Sequence, residues 1–442
     1  MAEINKAVKG TADLLPADSY KWQYAERKMI DIAGLFGYNE IRVPVFEHTE
    51  VFSRSVGDTT DVVQKEMYTF DDKGGRSITL RPELTAGVIR SCIENGLVAG
   101  TLPLKVCYVG GCYRYEKPQA GRLREFHQFG VECIGASDPR ADAELIMLAG
   151  KLLGDLGVKN VELHLNSIGC KHCREKYREA LVDYFQSHRE VLCETCLGRL
   201  EKNPMRILDC KSPICKDAAK DAPVMLDFLC NECAEHFSKV KAMLSDAGIA
   251  YSVDPGIVRG LDYYTKTVFE FVSCDLGAQS TVLGGGRYDG LIQQMGGQPT
   301  PALGFAMGIE RLMMIMAAQG SPFPEKARPD IYIAPLGEAA AAMAMKLCYQ
   351  LRNEGFSALT DISGRSAKAQ FKFADKVGAA YTVAIGDDEI ANGKAQLKNM
   401  ANGETVEVDL PDGVIDAVYK SKISVALDNL TNTIEELEGC QK

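Results

Sequence analysis

The hydrophobic and polar positions near the start of the chain repeat with the spacing of an amphipathic helix. Asp18 or Ser19 can cap its amino end, and Gly37 can end it. A strand over Ile41–Phe46 should follow, with Pro44 placing it near a sheet edge. The apolar residues recur at steps of three and four, which puts them on one helical face; they are Trp22, Ala25, Met29, Ile32, Ala33 and Phe36.

Similar patterns predict further elements up to about residue 320. A second helix opens at Asp138-Pro139, a capping residue followed by proline in the first turn, and ends near Gly157. An apolar helix covers Gly308–Gln319. Residues 170–250 are helical, polar and rich in cysteine. The predicted strands are Arg76–Leu80, Leu104–Tyr108, Phe129–Ile134, Val161–Asn166, Ser252–Asp254, Val268–Val272 and Ser280–Leu283.

A linker separates this region from a second pattern. Gly320–Pro329 contains three prolines together with charged residues, which is typical of a linker. Strands then alternate with helices, which predicts a small parallel or mixed sheet. The strands are Ile331–Leu336, Ser357–Asp361 and Tyr381–Ile385, and the helices are Ala339–Glu354 and Ser366–Val377. The tail after Asp412 is helical in character, and its role stays open.

Composition excludes several classes of protein. At about 100–200 residues per domain, 442 residues correspond to two to four domains. Hydrophobic residues are 46% and charged residues 25%, the balance of a soluble globular protein. No apolar run approaches the ~20 residues that cross a bilayer, and the first residues carry no apolar signal region, so we expect a cytoplasmic protein. A net charge of −10 argues against a general nucleic-acid binder but allows a local basic groove.

A charged loop lies between two apolar strand strings at residues 113–132, YRYEKPQAGRLREFHQFGVE. This arrangement predicts a long hairpin. Arg114, Arg122 and Arg124 suit a polyphosphate, because guanidinium groups bind phosphate oxygens in pairs. Phe126 offers a flat face for a base. A solvated charged hairpin without a ligand explains the same composition about equally well.

A second string, ALGFAMGIERL at residues 302–312, combines small residues with the start of a helix. Small residues let a strand approach a ligand or another backbone closely. The helix presents Arg311 in its first turn, where the positive end of the helix also favours an anion. Tight strand–helix packing is the alternative. The chain has no GxxxxGK[ST] or GxGxxG string, which excludes a P-loop or dinucleotide fingerprint.

Together these strings resemble motifs 2 and 3 of class II aminoacyl-tRNA synthetases. Four other strings resemble histidyl-tRNA synthetases in particular: KGTADLLP at 9–16, TLRPELTA at 79–86, VRGLDYYT with VFEF within 258–271, and GGGRYDG at 284–290. The resemblance runs from about Val8 to Leu410. It implies an α+β fold, with a class II antiparallel-sheet catalytic domain at 1–325 and a helical cysteine-rich insertion at about 168–250. An α/β anticodon-binding domain at 328–425 and a tail at 426–442 complete the expected organisation.

The resemblance implies a histidine–tRNA ligase. In such enzymes the carboxylate of L-histidine attacks the α-phosphate of ATP, pyrophosphate leaves, and histidine then passes to the 3′ end of its tRNA. Arg114 and Arg259 would contact the α-phosphate and carboxylate as catalytic residues, and Mg²⁺ is expected on the β and γ phosphates. The expected ATP-binding residues are Arg114, Glu116, Arg122, Phe126 and Arg311, the last two enclosing the adenine. A homodimer pairing through Asp18–Phe46 is also implied.

The same resemblance implies a histidine pocket. Glu132 and Tyr264 would hold the two imidazole nitrogens, a sensible pair because neutral imidazole offers one donor and one acceptor. Taken alone, Tyr263-Tyr264 would more often be an aromatic pair in a strand core. His127 is expected to be structural. The expected histidine-binding residues are Glu83, Thr85, Gln128, Glu132, Arg259, Tyr263 and Tyr264.

Eight of the fifteen cysteines fall between Cys170 and Cys233. Two-residue spacing lets two thiolates reach one tetrahedral ion, so eight thiols would suffice for two zinc ions. Reduced structural thiols and an iron–sulfur cluster are the alternatives, and the resemblance assigns no metal because many relatives lack these cysteines. The other seven, such as Cys107, are expected in apolar cores. The eight are Cys170, Cys173, Cys193, Cys196, Cys210, Cys215, Cys230 and Cys233.

A second functional interpretation stays open. The regulatory subunit of ATP phosphoribosyltransferase resembles these synthetases, and binds histidine without charging tRNA. It typically lacks the anticodon-binding domain and the arginine corresponding to Arg259. The presence here of Arg259 and of a domain over Arg328–Leu410 favours the ligase.

Overall fold

The computed structural model describes residues 5–56, 60, 62–119, 121–208, 210, 212–257, 259, 261–273, 275, 281–420, 422–423 and 427. The chain divides into two compact units, Met1–Pro324 and Glu325–Lys442. Within the described ranges, no helix is both long enough and apolar enough to cross a membrane.

The first unit is built on an eight-stranded sheet in the order β1-β5-β6-β11-β10-β9-β7-β8. Its inner neighbours are all antiparallel, and the edge strands β1 and β8 pair parallel with β5 and β7. The strands are β1 (Asn39–Glu40), β5 (Leu104–Tyr113), β6 (Glu125–Ile134), β7 (Val161–Ser167), β8 (Ser252–Val253), β9 (Thr265–Ser273), β10 (Thr281–Arg287) and β11 (Ala302–Gly308).

A small antiparallel sheet, in the order β2-β4-β3, accompanies the large one. Its strands are β2 (Phe46–His48), β3 (Tyr68–Asp71) and β4 (Ser77–Leu80). The helices of the unit outside its insertion are α1 (Ser19–Leu35), α2 (Thr49–Val56), α3 (Thr85–Glu94), α4 (Pro139–Asp155), α9 (Leu291–Gln294) and α10 (Ile309–Ala318), with a π-helical turn at Val62–Glu66 and a 3₁₀ turn at Leu97–Ala99.

The two faces of the large sheet have different neighbours. Successive side chains of a strand point to opposite faces. Phe129 and Val131 of β6 accordingly pack in the main core with residues of α1, α4 and α10, whereas Glu132 lies on the other face. The main core is therefore on one side, and the opposite side carries a second buried cluster together with a cavity.

The insertion between β7 and β8 is helical and cysteine-rich, as predicted. It contains α5 (Lys171–Ser187), α6 (Glu194–Lys202), α7 (Pro213–Ala218) and α8 (Asn231–Asp246), with 3₁₀ turns at Arg189–Val191, Pro204–Ile207 and Met225–Phe228. The cysteines do not pack alone. Tyr177, Leu181 and Phe185 share a buried cluster with five of them, so the insertion has a small hydrophobic core of its own.

The second unit contains a five-stranded mixed sheet in the order β13-β12-β14-β15-β16. The first three strands are parallel and the last two antiparallel. The mixed sheet was predicted, but its final hairpin, β15 and β16, was not. The elements are β12 (Ile331–Pro335), α11 (Glu338–Asn353), β13 (Ala358–Thr360), α12 (Ala367–Val377), β14 (Tyr381–Ile385), α13 (Asp387–Asn392), β15 (Lys394–Asn399), β16 (Thr405–Asp409) and a helix at 412–420.

Most residues that were predicted to begin or end a helix do so. The Asp138 side chain accepts the Arg140 N–H and caps α4, which starts with Pro139. Asp18 occupies the cap position of α1 but makes no cap hydrogen bond; its carboxylate accepts from Lys21 Nζ at 2.9 Å instead. Gly37, at φ +81°, ends α1 in the left-handed conformation that glycine favours. The α+β fold class is confirmed.

The single strand predicted at Ile41–Phe46 is wrong. The structure has two short strands, β1 and β2, with irregular backbone between them. Pro44 has no N–H to donate to a ladder. The carbonyls of Val43 and Pro44 instead accept hydrogen bonds from the Arg81 guanidinium, at 2.7 and 3.2 Å. The side chain of the buried Arg81 thus satisfies two carbonyl groups that a neighbouring strand would otherwise pair with.

The scattered cysteines behave as core residues. Burial raises the pKa of the Cys107 thiol to about 11, so it stays neutral. The five that the structure describes are all buried: Cys92, Cys107, Cys112, Cys133 and Cys348. The other two scattered cysteines, Cys274 and Cys440, lie outside the described ranges. So do several positions of the strings and segments in the sequence analysis: Ala120, Val258, Gly260, Ser280 and nearly all of the 426–442 tail.

Candidate active site

A cavity of about 710 Å³ opens on the face of the large sheet that carries Glu132. The β5–β6 hairpin, β10, β11 and the start of α10 contribute to its lining, together with residues 261–264 and part of the insertion. The cavity brings together all twelve residues predicted to bind histidine or ATP: Glu83, Thr85, Arg114, Glu116, Arg122, Phe126, Gln128, Glu132, Arg259, Tyr263, Tyr264 and Arg311.

Glu132 is the most deeply buried carboxylate of the cavity, with 1% of its surface exposed. Its Oε1 accepts a hydrogen bond from the Tyr108 hydroxyl at 2.7 Å, and its Oε2 accepts one from the Tyr288 hydroxyl. Burial raises the pKa of Glu132 to about 8, although the two tyrosine hydrogen bonds act in the opposite direction. The strand opposite carries Gly304, where a side chain would collide with this carboxylate.

Three tyrosines form an aromatic wall beside Glu132. The rings of Tyr263 and Tyr264 lie 4.7 Å apart, and the ring of Tyr288 stands edge-on to Tyr263 at 5.4 Å. All three are buried. A flat polar ring could therefore lie between apolar faces and reach a carboxylate and phenol hydroxyls at its edge.

Glu83 lies at the amino end of α3. Its two carboxylate oxygens accept the backbone N–H groups of Thr85 and Ala86, each at 2.8 Å. Burial nevertheless raises its pKa above the ordinary value. The Thr85 hydroxyl lies 3.2 Å from the Tyr108 hydroxyl, which links Glu83 to the Glu132 group through a short polar chain.

Arg259 lines the same cavity and forms a half-buried ion pair. Its Nη1 donates to Glu270 Oε1, and its guanidinium lies 5.5 Å from the centre of the Tyr264 ring. Gly284 leaves space for this guanidinium, since a Cβ there would lie 2.7 Å from its central carbon. Among the described residues, no group accepts a hydrogen bond from the buried Nε of Arg259. This arginine therefore keeps donor capacity for an anion in the cavity.

Arg114 and Phe126 form a second cationic part of the lining. The Arg114 Nε donates to the Pro82 carbonyl at 2.8 Å, which fixes the side chain. Its guanidinium lies 5.2 Å from the centre of the Phe126 ring, within cation–π range. The planar ring of Phe126 and the cationic side chain of Arg114 therefore lie together in the cavity lining, as expected for residues that bind the base and phosphates of ATP.

The remaining predicted ATP-binding residues complete this wall. Arg122 Nη1 donates to Glu116 Oε2 at 3.0 Å, and Arg311 Nη1 donates to the Thr281 carbonyl. Arg124, a further cation of the hairpin, does not line the cavity; its guanidinium stacks on the Tyr115 ring at 3.9 Å.

His127 lies outside the cavity lining. Its Nδ1 is 2.9 Å from Glu310 Oε1, and its ring stands edge-on to Trp22 at 5.4 Å. The hydrogen bond with Glu310 raises the pKa of His127. These contacts join β6 to α10 and α1, which agrees with the structural role expected from the sequence.

Tyr108 and Tyr288 are the functional candidates that the sequence analysis missed. Tyr288 belongs to the GGGRYDG string, so that string was the available signal. Tyr108 sits in an apolar strand string that is typical of a core strand, and no local pattern distinguishes its role. Only the pairing of β5 with β6 brings its hydroxyl to Glu132.

The cavity can therefore hold a particular kind of ligand. Its lining offers a buried carboxylate, phenol hydroxyls and aromatic faces, which suit a small polar ring such as imidazole. It also offers arginines, which suit a carboxylate and phosphates; they include Arg114, Arg122, Arg259 and Arg311. The same cavity could therefore take an amino acid together with a nucleotide.

Comparison with known proteins agrees with this arrangement. Residues 10–312 match the family model of histidyl-tRNA synthetase. The chain belongs to the histidyl-tRNA synthetase family. Residues 330–418 match a separate model, that of an anticodon binding domain. The two matches fall in the two compact units.

Relatives of this family cover nearly the whole chain. A histidine–tRNA ligase of Acetivibrio thermocellus is 56% identical over 407 residues, which are 92% of this chain and 98% of the relative. One from Clostridioides difficile is 50% identical over 408 residues, covering 92% and 97%. The solved apo histidyl-tRNA synthetase of S. aureus superposes with a TM-score of 0.81 at 39% identity, covering 94% of this chain and all of that one.

A more distant match concerns the fold alone. A Bacillus halodurans protein, titled an ATP phosphoribosyltransferase regulatory subunit/histidyl-tRNA synthetase, has a TM-score of 0.63 at 21% identity. It covers 87% of this chain. At that identity the likeness does not discriminate between the two functions in its title.

Proposed function

We propose that the chain activates L-histidine with ATP, releasing pyrophosphate, and then transfers histidine from the adenylate to the 3′ end of its tRNA. The observation that carries this proposal is the single cavity in which a buried Glu132–tyrosine pocket adjoins four arginines. Membership of the histidyl-tRNA synthetase family supports it.

Glu132 and Tyr264 would hold the imidazole of the substrate. Neutral imidazole has one N–H donor and one acceptor nitrogen, and a carboxylate with a phenol provides one matching group for each. Tyr108 and Tyr288 would orient the Glu132 carboxylate through their hydroxyls. Tyr263 supplies an apolar face. A ligand lacking these polar atoms would leave buried groups unpaired, which is the physical basis of selectivity.

The α-amino and carboxylate groups of histidine would lie near Glu83, Thr85 and Gln128. The Glu83 carboxylate is held by two backbone N–H groups, so it is pre-positioned for an ammonium group. Arg259 adjoins Tyr264 and would bind the substrate carboxylate.

Arg114 and Arg259 would stabilise the charge that develops on the α-phosphate as the histidine carboxylate attacks it. Fixed cations lower the barrier because they need no reorganisation during the reaction. Phe126 and Arg311 would enclose the adenine, while Arg122 and Glu116 would face the ATP. Mg²⁺ would bind together with ATP, and the Glu116 carboxylate would offer an oxygen ligand of the kind that Mg²⁺ prefers.

We further propose that the matched anticodon-binding region recognises the tRNA and that the enzyme works as a homodimer in the cytoplasm. The apolar stripe of α1 was expected to face the partner, but it packs into the core of the chain itself. Exposed apolar side chains at Leu35, Val45 and Phe46 remain available for the partner. Sedimentation should give twice the mass of one chain at micromolar concentration; a fully active monomer would contradict the dimer.

The cysteine-rich insertion supports one further cofactor proposal. Its eight thiols are the donor set that zinc prefers in structural sites. In such a site protein ligands fill all four coordination positions of the ion, so that none is left open for a substrate. We propose that these thiols hold zinc with a structural role.

Histidine-dependent exchange of pyrophosphate into ATP tests the proposed function. Exchange with L-histidine, followed by charging of histidine tRNA, is the expected result. Tight histidine binding without exchange would favour the regulatory-subunit interpretation instead. The position of Arg259 in the cavity lining and the anticodon-binding match over residues 330–418 both favour the ligase.

A further inference from the structure

The eight cysteines of the insertion separate into two groups of four in space. Within each group the four sulfur atoms all lie within 4.8 Å of one another. The spacing along the chain did not reveal this division. The outer group is Cys170, Cys173, Cys230 and Cys233, and the inner group is Cys193, Cys196, Cys210 and Cys215.

The sulfur–sulfur distances fit one metal ion in each group. Cys170 Sγ lies 3.6 Å from Cys173 Sγ and 4.0 Å from Cys230 Sγ, and Cys193 Sγ lies 3.9 Å from Cys210 Sγ. A tetrahedron with zinc–sulfur bonds of about 2.3 Å has edges of about 3.8 Å. Disulfide sulfurs would be about 2 Å apart, and all eight thiols are free. Ligands around an iron–sulfur cluster would have to be spread farther apart to enclose several atoms.

The local backbone favours thiolates at these positions. Cys170, Cys193 and Cys230 are the cap residues of α5, α6 and α8, and the second cysteine of each pair lies in the first turn. The positive end of a helix stabilises a thiolate. Backbone N–H groups also point at sulfur: that of Cys230 donates to Cys173 Sγ at 3.1 Å, and that of Cys193 donates to Cys215 Sγ at 3.2 Å.

The inner group lies at the wall of the active-site cavity. Cys193 and Cys210 belong to the lining, as do two arginines of the same segment, Arg199 and Arg206. Arg206 donates from Nη2 to Asp262 Oδ1 at 2.8 Å, and Arg199 Nη1 donates to the Arg206 carbonyl at 2.9 Å. Asp262 immediately precedes the two pocket tyrosines.

The outer group reaches the same loop from another side. Arg174 directly follows Cys173 in α5, and its Nη1 donates to the Tyr264 carbonyl at 3.3 Å. Residues 261–264 therefore accept hydrogen bonds from two arginines, Arg174 next to the outer group and Arg206 in the segment that carries the inner group. They carry the tyrosine side chains of the proposed histidine pocket, and no strand or helix includes them.

We propose that the chain binds two zinc ions, one in each cysteine group, and that they fix Arg174 and Arg206 as positioning residues for the histidine-pocket loop at 261–264. Each ion would displace the thiol protons of its ligands into solvent. The zinc ions take no part in adenylate formation. By holding this loop in place, they would increase the affinity of the enzyme for histidine, an effect that rests on the proposed function.

Native mass spectrometry of the full chain, purified without chelator, tests the metal sites. The wild type should carry two zinc ions. Cys170→Ser with Cys173→Ser, and separately Cys193→Ser with Cys196→Ser, should each leave one ion. Substitution by Co²⁺ should give the visible absorption of tetrahedral cobalt thiolates in both single-ion variants. Metal-free wild type, iron in place of zinc, or loss of both ions from either variant would overturn the assignment.

Two arginine variants test whether Arg174 and Arg206 position the histidine-pocket loop, and neither variant changes a metal ligand. Arg174→Met and Arg206→Met should keep two zinc ions and raise the histidine KM in pyrophosphate exchange about fivefold or more, with a smaller change in kcat. Arg178→Met is the matched control, because Arg178 lies on α5 but donates to the Glu201 carbonyl inside the insertion. An unchanged histidine KM in both test variants would overturn the positioning role. Absence of exchange in the wild type would instead refute the proposed function and leave the ion counts standing.

Discussion

The Tyr288 hydroxyl donates a hydrogen bond to the Glu132 carboxylate, and both side chains are almost fully buried. Tyr108 donates to the other carboxylate oxygen at 2.7 Å. The Glu132 carboxylate is therefore oriented before any ligand arrives, which reduces the entropy lost when histidine binds.

Glu132→Gln should weaken histidine binding. The amide puts an NH2 group in place of one of the two oxygens that accept from Tyr108 and Tyr288, so one buried tyrosine hydroxyl would lose its acceptor. We expect the histidine KM to rise about tenfold or more, as a loss of ~1.4 kcal/mol would produce. Glu125→Gln on the same strand is the control, since Glu125 accepts from Tyr113 outside the cavity lining. Equal KM values in the two variants would show that the imidazole pocket is misplaced.

Glu132 should also make stability depend on pH. Burial raises its pKa to about 8 in the folded chain, against about 4.3 in an unfolded one. The folded state therefore binds the proton more tightly, and the free energy of unfolding should fall as pH rises from roughly 4.5 to 8. Glu132→Gln removes this contribution while other titrating groups remain. Denaturant midpoints across that window should fall less in the variant; parallel curves would contradict the shifted pKa.

Arg259→Ala should reduce the exchange kcat by about 10²–10³, the effect typical of removing one fixed donor from a developing charge. The histidine KM should change less, because the imidazole contacts remain. Arg140→Ala is a suitable control, since its guanidinium is largely exposed and pairs with Asp138. Exchange rates that match between the two variants would exclude Arg259 from the chemistry.

Ending the chain at Pro324 should separate the two reactions. The two units have separate hydrophobic cores, and the boundary between them follows Pro324. Pyrophosphate exchange should persist in the shortened protein, whereas tRNA charging should be largely lost. Charging by the full chain should also weaken steeply with salt, because phosphate contacts release counterions. A proportional loss of both reactions would mean that the second unit supports the active site itself.

Much of the site could be predicted because its residues sit in long, distinctive strings. The hairpin carrying Arg114 and Phe126 is flanked by recognisable strands, and small residues around Gly304 indicated a close approach that Glu132 makes. Tyr108 could not be predicted, since a strand tyrosine looks the same whether it faces a core or a cavity. The prediction of a strand at Ile41–Phe46 was wrong because Arg81, which is distant in sequence, donates hydrogen bonds to the carbonyls of Val43 and Pro44.

The grouping of the cysteines shows the same limit. Regular spacing identified the pairs Cys170/Cys173 and Cys193/Cys196, yet spacing alone cannot say which pairs meet. That depends on how α5, α6 and α8 pack, and on Tyr177 and Phe185 in the core between them.

The inner cysteine group lies entirely within the chain segment that the outer group closes. Cys193 and Cys215 are 22 positions apart, whereas Cys170 and Cys230 are 60 apart. Joining the ends of a short loop costs less chain entropy than joining those of a long one, and a loop already closed inside shortens the outer one. With the proposed zinc ion in each group, the nesting would give the insertion an intrinsic order of assembly. The segment beside the cavity would form first, and the two longest helices of the insertion, α5 and α8, would be tied together last.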